Sequence, residues 1–256
     1  MYAKKSLGQH FLRSERALSS IIEAGNITPG ETVLEIGPGT GALTEKLLDA
    51  GAKVIAVEKD DELFAALSKK YPGLELVHGD ILNFQTSQLG TYKLIANIPY
   101  NITGAILEKF LSAEHQPELM VLLVQKEVAK RIVARDGKDG KESILSLSVK
   151  AYGKPRYVET VKAGSFAPAP AVDSAIIAIE NISKSFFTNF SEKDFFKLLH
   201  AGFRAKRKKL SSNLGVVFAK ERVKEAFRKL NLDENVRAED LPVNKWGELA
   251  ALLLEN

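Results

Sequence analysis

"TVLEIGPGTGALTEKLLDAGAKVIAVE", residues 32–58, holds an apolar run, a glycine-rich turn, an amphipathic stretch and a second apolar run. "TVLEIG" (32–37) and "KVIAVE" (53–58) read as buried strands, with "GALTEKLLDAG" (41–51) as the helix between them. Two parallel strands joined through a helix form the unit of a parallel sheet. The same order repeats outward. "DELFAALSKKY" (61–71) is helical, "LELVHGD" (74–80) and "YKLIANIPY" (92–100) are strands, and "TGAILEKFLSA" (103–113) is a helix. "ELMVLLVQ" (118–125) is a strand and "KEVAKRIVA" (126–134) a helix. "RYVETV" (156–161) and "SAIIAIE" (174–180) read as a closing strand pair joined by the proline-bearing loop "AGSFAPAPAVD". The expected fold is α/β, with a mostly parallel sheet covered by helices.

After the Ser/Asn-rich "NISKS" (181–185) the strands stop. "SEKDFFKLLHAGF", "AKERVKEAFRKL" and "NKWGELAALLL" are helical patterns with no strand between them. The expected division is a catalytic domain over residues 1–182 and a small all-α domain over 183–256. "RDGKDGKES" (135–143) reads as a polar, mobile surface loop.

The chain has 256 residues, 45% apolar and 27% charged, enough for a packed core and unlike a disordered chain. It has no cysteine, which excludes disulfides, thiolate metal sites and a Cys nucleophile. The first twenty residues lack the apolar segment of a secretory signal, and no apolar run is long enough to span a bilayer. A soluble cytoplasmic protein is expected. The net charge of +4 is uneven: residues 181–256 carry 15 Lys and Arg against 10 Asp and Glu, and the rest of the chain 21 against 22. A basic C-terminal region suggests a polyanion partner, although a solvated helical face has the same composition.

"EIGPGTGALT" puts Gly37, Gly39 and Gly41 at a strand-to-helix turn. Glycine lets the backbone take positive φ and approach a ligand closely, and the following helix N-terminus favours negative charge. A tight turn with close helix packing uses the same glycines. The stretch also satisfies the dinucleotide pattern through Gly37, Gly39 and Ala42, and it is not a P-loop. Glu58 ends the next strand about 20 residues on, where a carboxylate can accept both hydroxyls of a ribose. That fits NAD and S-adenosylmethionine equally. Asp80, in "HGD", lies where an acid can accept a hydrogen bond from an adenine amine, and it favours S-adenosylmethionine. Singly, each acid reads as well as a helix cap. Together, these residues at three successive strand ends resemble the class I (Rossmann-like) methyltransferases.

"NIPYNI" (97–102) falls at the end of the fourth strand. In open α/β sheets ligands sit at the carboxyl ends of the strands. The exocyclic amine of adenine is a poor nucleophile because its lone pair is delocalised into the ring. The amide oxygen of Asn97 and the backbone carbonyl of Ile98 can accept its two hydrogens and draw the nitrogen towards tetrahedral geometry. Pro99 holds the turn and donates no hydrogen bond. Tyr100 offers a face on which a base can stack. No metal is needed.

"KKSLGQHFL" (4–12), "EIGPGTGALT" (35–44), "NIPYNI" (97–102), "LVQKEVAKRIVA" (123–134), "SFAPAPAVDSAI" (165–176) and "FRAKRKKLSSNL" (203–214) occur in the order found in the ribosomal RNA adenine dimethyltransferases. The chain resembles that family nearly end to end. The resemblance implies a methyltransferase sheet with a small C-terminal helical domain. It also implies dimethylation, from S-adenosylmethionine, of two adjacent adenosines near the 3′ end of small-subunit rRNA, linked to maturation of that subunit. By position it assigns cofactor contacts to His10, Leu12, Gly37, Gly39, Gly41, Glu58, Asp80 and Asn97. Family members often carry Asn at the place of His10, so that contact is expected through the backbone. Tyr100 and Phe166 are the implied pair of rings around the target adenine, although Phe is also commonly a core residue.

"RAKRKK" (204–209) puts five cations in six positions, read here as lying on a helix. Arg204, Lys206, Arg207, Lys208 and Lys209, with Lys4 and Lys5, are expected to touch RNA phosphates, which position the RNA without reading its sequence. The expected partner is small-subunit rRNA within an immature subunit, and the expected state is a monomer. Three other readings stand beside this one. The first is an adenine methyltransferase acting on large-subunit rRNA or DNA, and the second an assembly factor whose methylation is incidental. An NAD-linked dehydrogenase is more distant.

Overall fold

The computed structural model describes residues 9–134 and 141–254. Lys4, Lys5 and residues 135–140 of the expected surface loop therefore lie outside the described residues. The chain divides into two compact units, one of residues 1–130 and 153–182, the other of residues 131–152 and 183–256. The second unit thus takes in a segment, 131–152, that the sequence reading left with the first.

In the first unit the strands are β1 (Phe11–Leu12), β2 (Thr32–Ile36), β3 (Lys53–Glu58), β4 (Glu75–His78), β5 (Tyr92–Asn97), β6 (Leu119–Gln125), β7 (Lys154–Val161), β8 (Phe166–Ala167) and β9 (Ser174–Glu180). Seven form one sheet in the order β4-β3-β2-β5-β6-β9-β7. β4, β3, β2, β5 and β6 run parallel, and β9 pairs antiparallel with both β6 and β7. This is the mostly parallel sheet with an antiparallel closing pair that the apolar runs predict. Val33, Leu34, Leu94, Ile95, Val121, Leu122, Ile176 and Ile177 are wholly buried, as expected where both faces of a sheet are covered.

The helices of the first unit are α1 (Glu15–Gly25), α2 (Ala42–Asp49), α3 (Asp61–Lys70) and α4 (Thr103–Ser112), and α5 (Lys126–Val133) runs from this unit into the second. α1, absent from the sequence reading, starts at Ser14, whose hydroxyl accepts from the Ala17 amide at 3.3 Å. It stops where Asn26 turns left-handed, and it buries Ala17, Leu18 and Ile21 in the core. The sequence also gave no sign of the two-residue pairing of β1 with β8, Phe11 opposite Ala167 and Leu12 opposite Phe166.

The second unit is helical: α6 (Ile144–Lys150), α7 (Glu192–Gly202), α8 (Leu210–Leu214), α9 (Lys220–Lys229) and α10 (Val243–Leu254). Ser143 caps α6 by accepting from the Ser146 amide, so the polar loop ends in a helix start. Phe195, Leu199, Leu210, Leu214, Phe227, Trp246 and Leu249 fill the core. The basic cluster is not helical, which corrects the sequence reading. α7 ends at Gly202, and Arg204 to Lys209 form an exposed turn before α8. Tertiary contacts impose the turn. Asn213 Nδ2 donates to the carbonyls of Gly202 at 2.6 Å and Ala205 at 3.1 Å. A Cβ on Gly202 would lie 2.3 Å from the Trp246 ring.

No helix among the described residues is long and apolar enough to cross a membrane.

Candidate active site

The carboxyl ends of β2, β3, β4 and β5, with the chain entering β1, surround a cavity of about 230 Å³. It lies where a parallel sheet presents its loops.

The glycine turn forms one wall. Gly37 and Gly39 have φ of +60° and +61°. A Cβ on Gly37 would meet nothing within 4 Å, whereas one on Gly39 would press on the Phe11 ring at 3.1 Å. Gly41 differs. It is not part of the cavity wall, and a Cβ there would strike the Tyr71 ring at 2.8 Å. A left-handed φ of +83° and packing between α2 and α3 both require glycine there, and the structure does not bring it to the cavity.

Glu58 ends β3, buried, with one carboxylate oxygen accepting from the Gly39 amide at 3.1 Å and the other from the Asp60 amide at 2.9 Å. Burial raises its pKa, partly offset by those amides. Asp80 accepts from Lys59 Nζ at 2.9 Å and from the Leu82 amide at 2.9 Å, and these bonds hold its pKa below the usual carboxylate range. β4 stops at His78, so Asp80 caps the short turn Ile81–Asn83 while also lining the cavity.

Asn97 ends β5. Its Nδ2 donates to the backbone carbonyl of His10 at 3.0 Å, which leaves Oδ1 as the acceptor available to a ligand. The next carbonyl, Ile98, follows directly along the chain. Among the described residues no donor reaches Asn97 Oδ1 or the Ile98 oxygen. Pro99, at φ −59°, starts the turn Tyr100–Ile102. The Tyr100 hydroxyl shares a 2.6 Å hydrogen bond with Ser174 Oγ on β9, and Thr103 Oγ1 donates to the Tyr100 carbonyl at 3.1 Å. Burial raises the Tyr100 pKa, so the ring is a neutral phenol. The ring is thus fixed in plane by Ser174 and along the chain by Thr103.

His10, Leu12, Gly37, Gly39, Glu58, Asp80, Asn97, Ile98, Pro99 and Tyr100 all line this cavity. Phe166 does not. It is 5% exposed and packs in the core cluster with Leu12, its partner across the β1–β8 pair. Its ring lies in the core cluster, beside the strand that enters the cavity wall. Phe166→Leu, close in volume, is expected to lower the unfolding free energy by less than about 1.5 kcal/mol. Denaturant titration of both proteins would check it.

Two residues of the site were not singled out from the sequence. Ser174 carried no signal. Glu35 did: an acid inside an apolar strand needs a reason. It is 1% exposed on the cavity wall, and one oxygen accepts from Thr44 Oγ1 at 2.7 Å. Burial pushes its pKa up to about 8; the Thr44 hydroxyl opposes the shift and the nearby Glu58 charge adds to it.

No group of three or more His, Asp or Glu side chains among the described residues is arranged to hold a metal ion. The site therefore offers hydrogen-bond acceptors, a fixed ring and backbone amides, which suit alignment of two bound molecules.

The family model described as "Ribosomal RNA adenine dimethylase" matches residues 1–254. The chain is 44% identical to "Ribosomal RNA small subunit methyltransferase A" of Dehalococcoides mccartyi, over 99% of this chain and 89% of that protein. Among solved structures, it resembles a dimethyladenosine transferase from Plasmodium falciparum with a TM-score of 0.80 and 31% identity, covering 94% of this chain and 96% of that one. It also resembles the 23S rRNA methyltransferase ErmE with a TM-score of 0.76 and 26% identity, covering 95% and 99% of the two chains. A glycine turn, the acids Glu58 and Asp80 and an Asn-Ile-Pro-Tyr acceptor pair around one cavity, in a chain matched over nearly its full length, lead to one conclusion: it belongs to the ribosomal RNA adenine dimethylase family.

Proposed function

We propose that the protein transfers methyl groups to the exocyclic amines of two adjacent adenosines near the 3′ end of small-subunit rRNA. It does so in the cytoplasm, as a monomer acting on an immature subunit. The donor is S-adenosylmethionine, which supplies a methyl group already activated on a sulfonium. The cavity fits it: an open, positive-φ Gly37, the buried Glu58 for ribose hydroxyls and Asp80 for the adenine amine. The 44% identity to a small-subunit enzyme, against 26% to ErmE, favours the small-subunit target over the large-subunit one.

One observation carries the catalytic reading: two adjacent oxygens, Asn97 Oδ1 and the Ile98 carbonyl, stand without donors at the cavity. A primary amine has two hydrogens for two such acceptors. Holding both rotates the target nitrogen out of conjugation and aims its lone pair. The Tyr100 face fixes the plane of the base. As the nitrogen bonds to the methyl carbon, the carbon–sulfur bond breaks and its pair stays on sulfur. The resulting aminium gives its extra proton to water. The same acceptors can serve the monomethylated amine through its one remaining hydrogen. Alignment of this kind can supply ~7–11 kcal/mol of a barrier.

We assign donor binding and catalysis to the sheet-bearing unit and phosphate contact to the basic turn of the helical unit, with Lys4 and Lys5 as further candidates. Arg204, Lys206, Arg207, Lys208 and Lys209 are exposed and form no side-chain ion pair among the described residues. Reversing the charge of Arg207 and Lys208 together is expected to weaken RNA binding and flatten its salt dependence, by a log–log slope of roughly 0.7–0.9 per lost phosphate contact. An unchanged slope would remove the turn from the interface. The function itself is tested by supplying labelled donor with naked rRNA or with immature small subunits, and mapping the modified bases. Label on adjacent 3′-proximal adenosines of the small-subunit RNA is the expected result. Label confined to large-subunit RNA would overturn the target.

A further inference from the structure

Residues 203–220, "FRAKRKKLSSNLGVVFAK", hold six Lys and Arg and no Asp or Glu. Two valines stand late in that stretch, in the turn after α8. Val216 and Val217 are 61% and 60% exposed, the most exposed large apolar side chains among the described residues and the only exposed two that are neighbours in sequence. The turn itself is held by its main chain. Gly215 N donates to the Ser211 carbonyl at 2.9 Å, and Val217 N and Phe218 N both donate to the Leu214 carbonyl at 2.9 Å. Leu214 is buried and Phe218 packs on the same core, so the turn folds its other apolar side chains inward and leaves the two valines outside.

Cations flank the pair in both directions along the chain. The basic turn from Arg204 to Lys209 precedes α8, a helix of 5 residues and so about 7.5 Å long. Asn213 ties the two turns together: its Nδ2 donates to the Gly202 and Ala205 carbonyls at the basic turn, and its own carbonyl accepts from Val216 N at 3.4 Å. Beyond the valines, a Cβ on Gly215 would lie 3.6 Å from Lys220 Cγ, so the Lys220 stem runs beside the valine turn. Lys220, like the basic turn, is exposed and forms no ion pair among the described residues. Single exposed valines are ordinary on a surface. An adjacent pair on a hydrogen-bonded turn, framed by unpaired cations, suits a partner with phosphates at its edges and a less polar centre.

We propose that Val216 and Val217 are an apolar wedge that lies in the wide, shallow minor groove of an rRNA helix, with the basic turn on the phosphates of one strand and Lys220 on those of the other. This deepens the RNA-methyltransferase reading above and rests on it. The major groove of an RNA helix is too deep and narrow for side chains to read, whereas its minor groove is open and displays riboses and base edges. Ribose carbons and base edges give the valine methyl groups a surface on which to bury; phosphates alone do not. The framing charges select the partner. A protein would need an acidic rim to match them, whereas an RNA helix carries phosphates along both sides of its groove. The wedge reads shape and not sequence. It also differs in kind from the cations around it, because an apolar contact releases no counterion.

The test uses the full chain, naked small-subunit rRNA and immature small subunits, with dissociation constants measured over a range of salt concentrations. Val216→Ala together with Val217→Ala is expected to weaken binding to naked rRNA about tenfold at every salt concentration, displacing the log–log line without changing its slope. Val216→Ile together with Val217→Ile, which keeps the apolar surface, should bind as the native protein does. Both positions are exposed, so neither pair of changes should shift the melting temperature. Full affinity of the alanine pair for naked rRNA would overturn the wedge; if that variant still bound immature subunits more weakly, the valines would belong to a protein partner. A flattened slope in the alanine pair would overturn the wedge as well, because the loss would then lie in the cations. A native protein whose rRNA affinity did not depend on salt would instead sink the phosphate-contact reading on which the proposal rests.

Discussion

Replacing Asn97 with alanine is expected to slow methyl transfer by roughly 10²–10³-fold, about 2.7–4 kcal/mol of transition-state stabilisation. An ordinary hydrogen bond contributes only about 0.5–1.5 kcal/mol net to a folded protein. The larger figure follows from two losses at once. The target amine loses one of the two acceptors that turn it, and the His10 carbonyl loses the Asn97 Nδ2 donor at 3.0 Å. Displacing a reactant by about 1 Å is by itself enough to cost roughly 10²-fold. Asn97→Asp should fail as well. It keeps an oxygen towards the ligand but sets a second oxygen against the His10 carbonyl, acceptor against acceptor. Single-turnover rates at saturating donor and RNA would measure both variants. Rates within threefold of native in Asn97→Ala would show that this amide does not align the nucleophile.

The strands that carry the site were legible because each is a continuous apolar run between turn signals. β2, β3, β5, β6 and β9 all fall inside the runs read from the sequence. The carboxyl ends of the parallel strands, β4 included, had to lie along one edge, which is why Glu58, Asp80 and Asn97 could be placed at one cavity without coordinates. Long-range contacts stayed hidden. A two-residue strand such as β1 or β8 has no periodicity to read, so the pairing that buries Phe166 left no local trace. The basic stretch looked helical because its composition permits a helix; the Asn213 side chain, bonded to the Gly202 and Ala205 carbonyls, holds it as a turn. Gly41 looked like Gly37 and Gly39. All three take positive φ, and only the Tyr71 ring behind Gly41 shows that its missing Cβ also serves packing. In each case a glycine or an aromatic residue is informative about closeness but silent about the identity of the neighbour.

Glu35 is expected to make the protein less stable as pH rises from about 4.5 to about 8, the interval between its ordinary and its folded-state pKa. In that window the unfolded chain holds an ionised carboxylate while the folded protein must keep the group protonated, so folding takes up a proton. Stability then falls by up to about 1.4 kcal/mol per pH unit, on the order of 5 kcal/mol across the interval. The direction is opposite to that of Asp80, whose depressed pKa favours folding above the acid range and whose contribution is lost as pH falls. Glu35→Gln isolates the effect. It keeps the size and an oxygen for Thr44, and it cannot ionise. Carboxylates other than Glu58, whose charge Glu35 feels, titrate alike in both proteins and cancel in the difference. The variant should therefore gain on the native protein steadily above about pH 4.5 and level off above about pH 8, in unfolding free energies from denaturant titrations of the donor-free proteins. Two curves that stay parallel would mean that Glu35 is ionised in the folded state at neutral pH. The cavity wall would then carry a second anion beside Glu58. The predicted slope instead keeps Glu35 uncharged at neutral pH, which relieves the repulsion between two buried carboxyl groups on one wall.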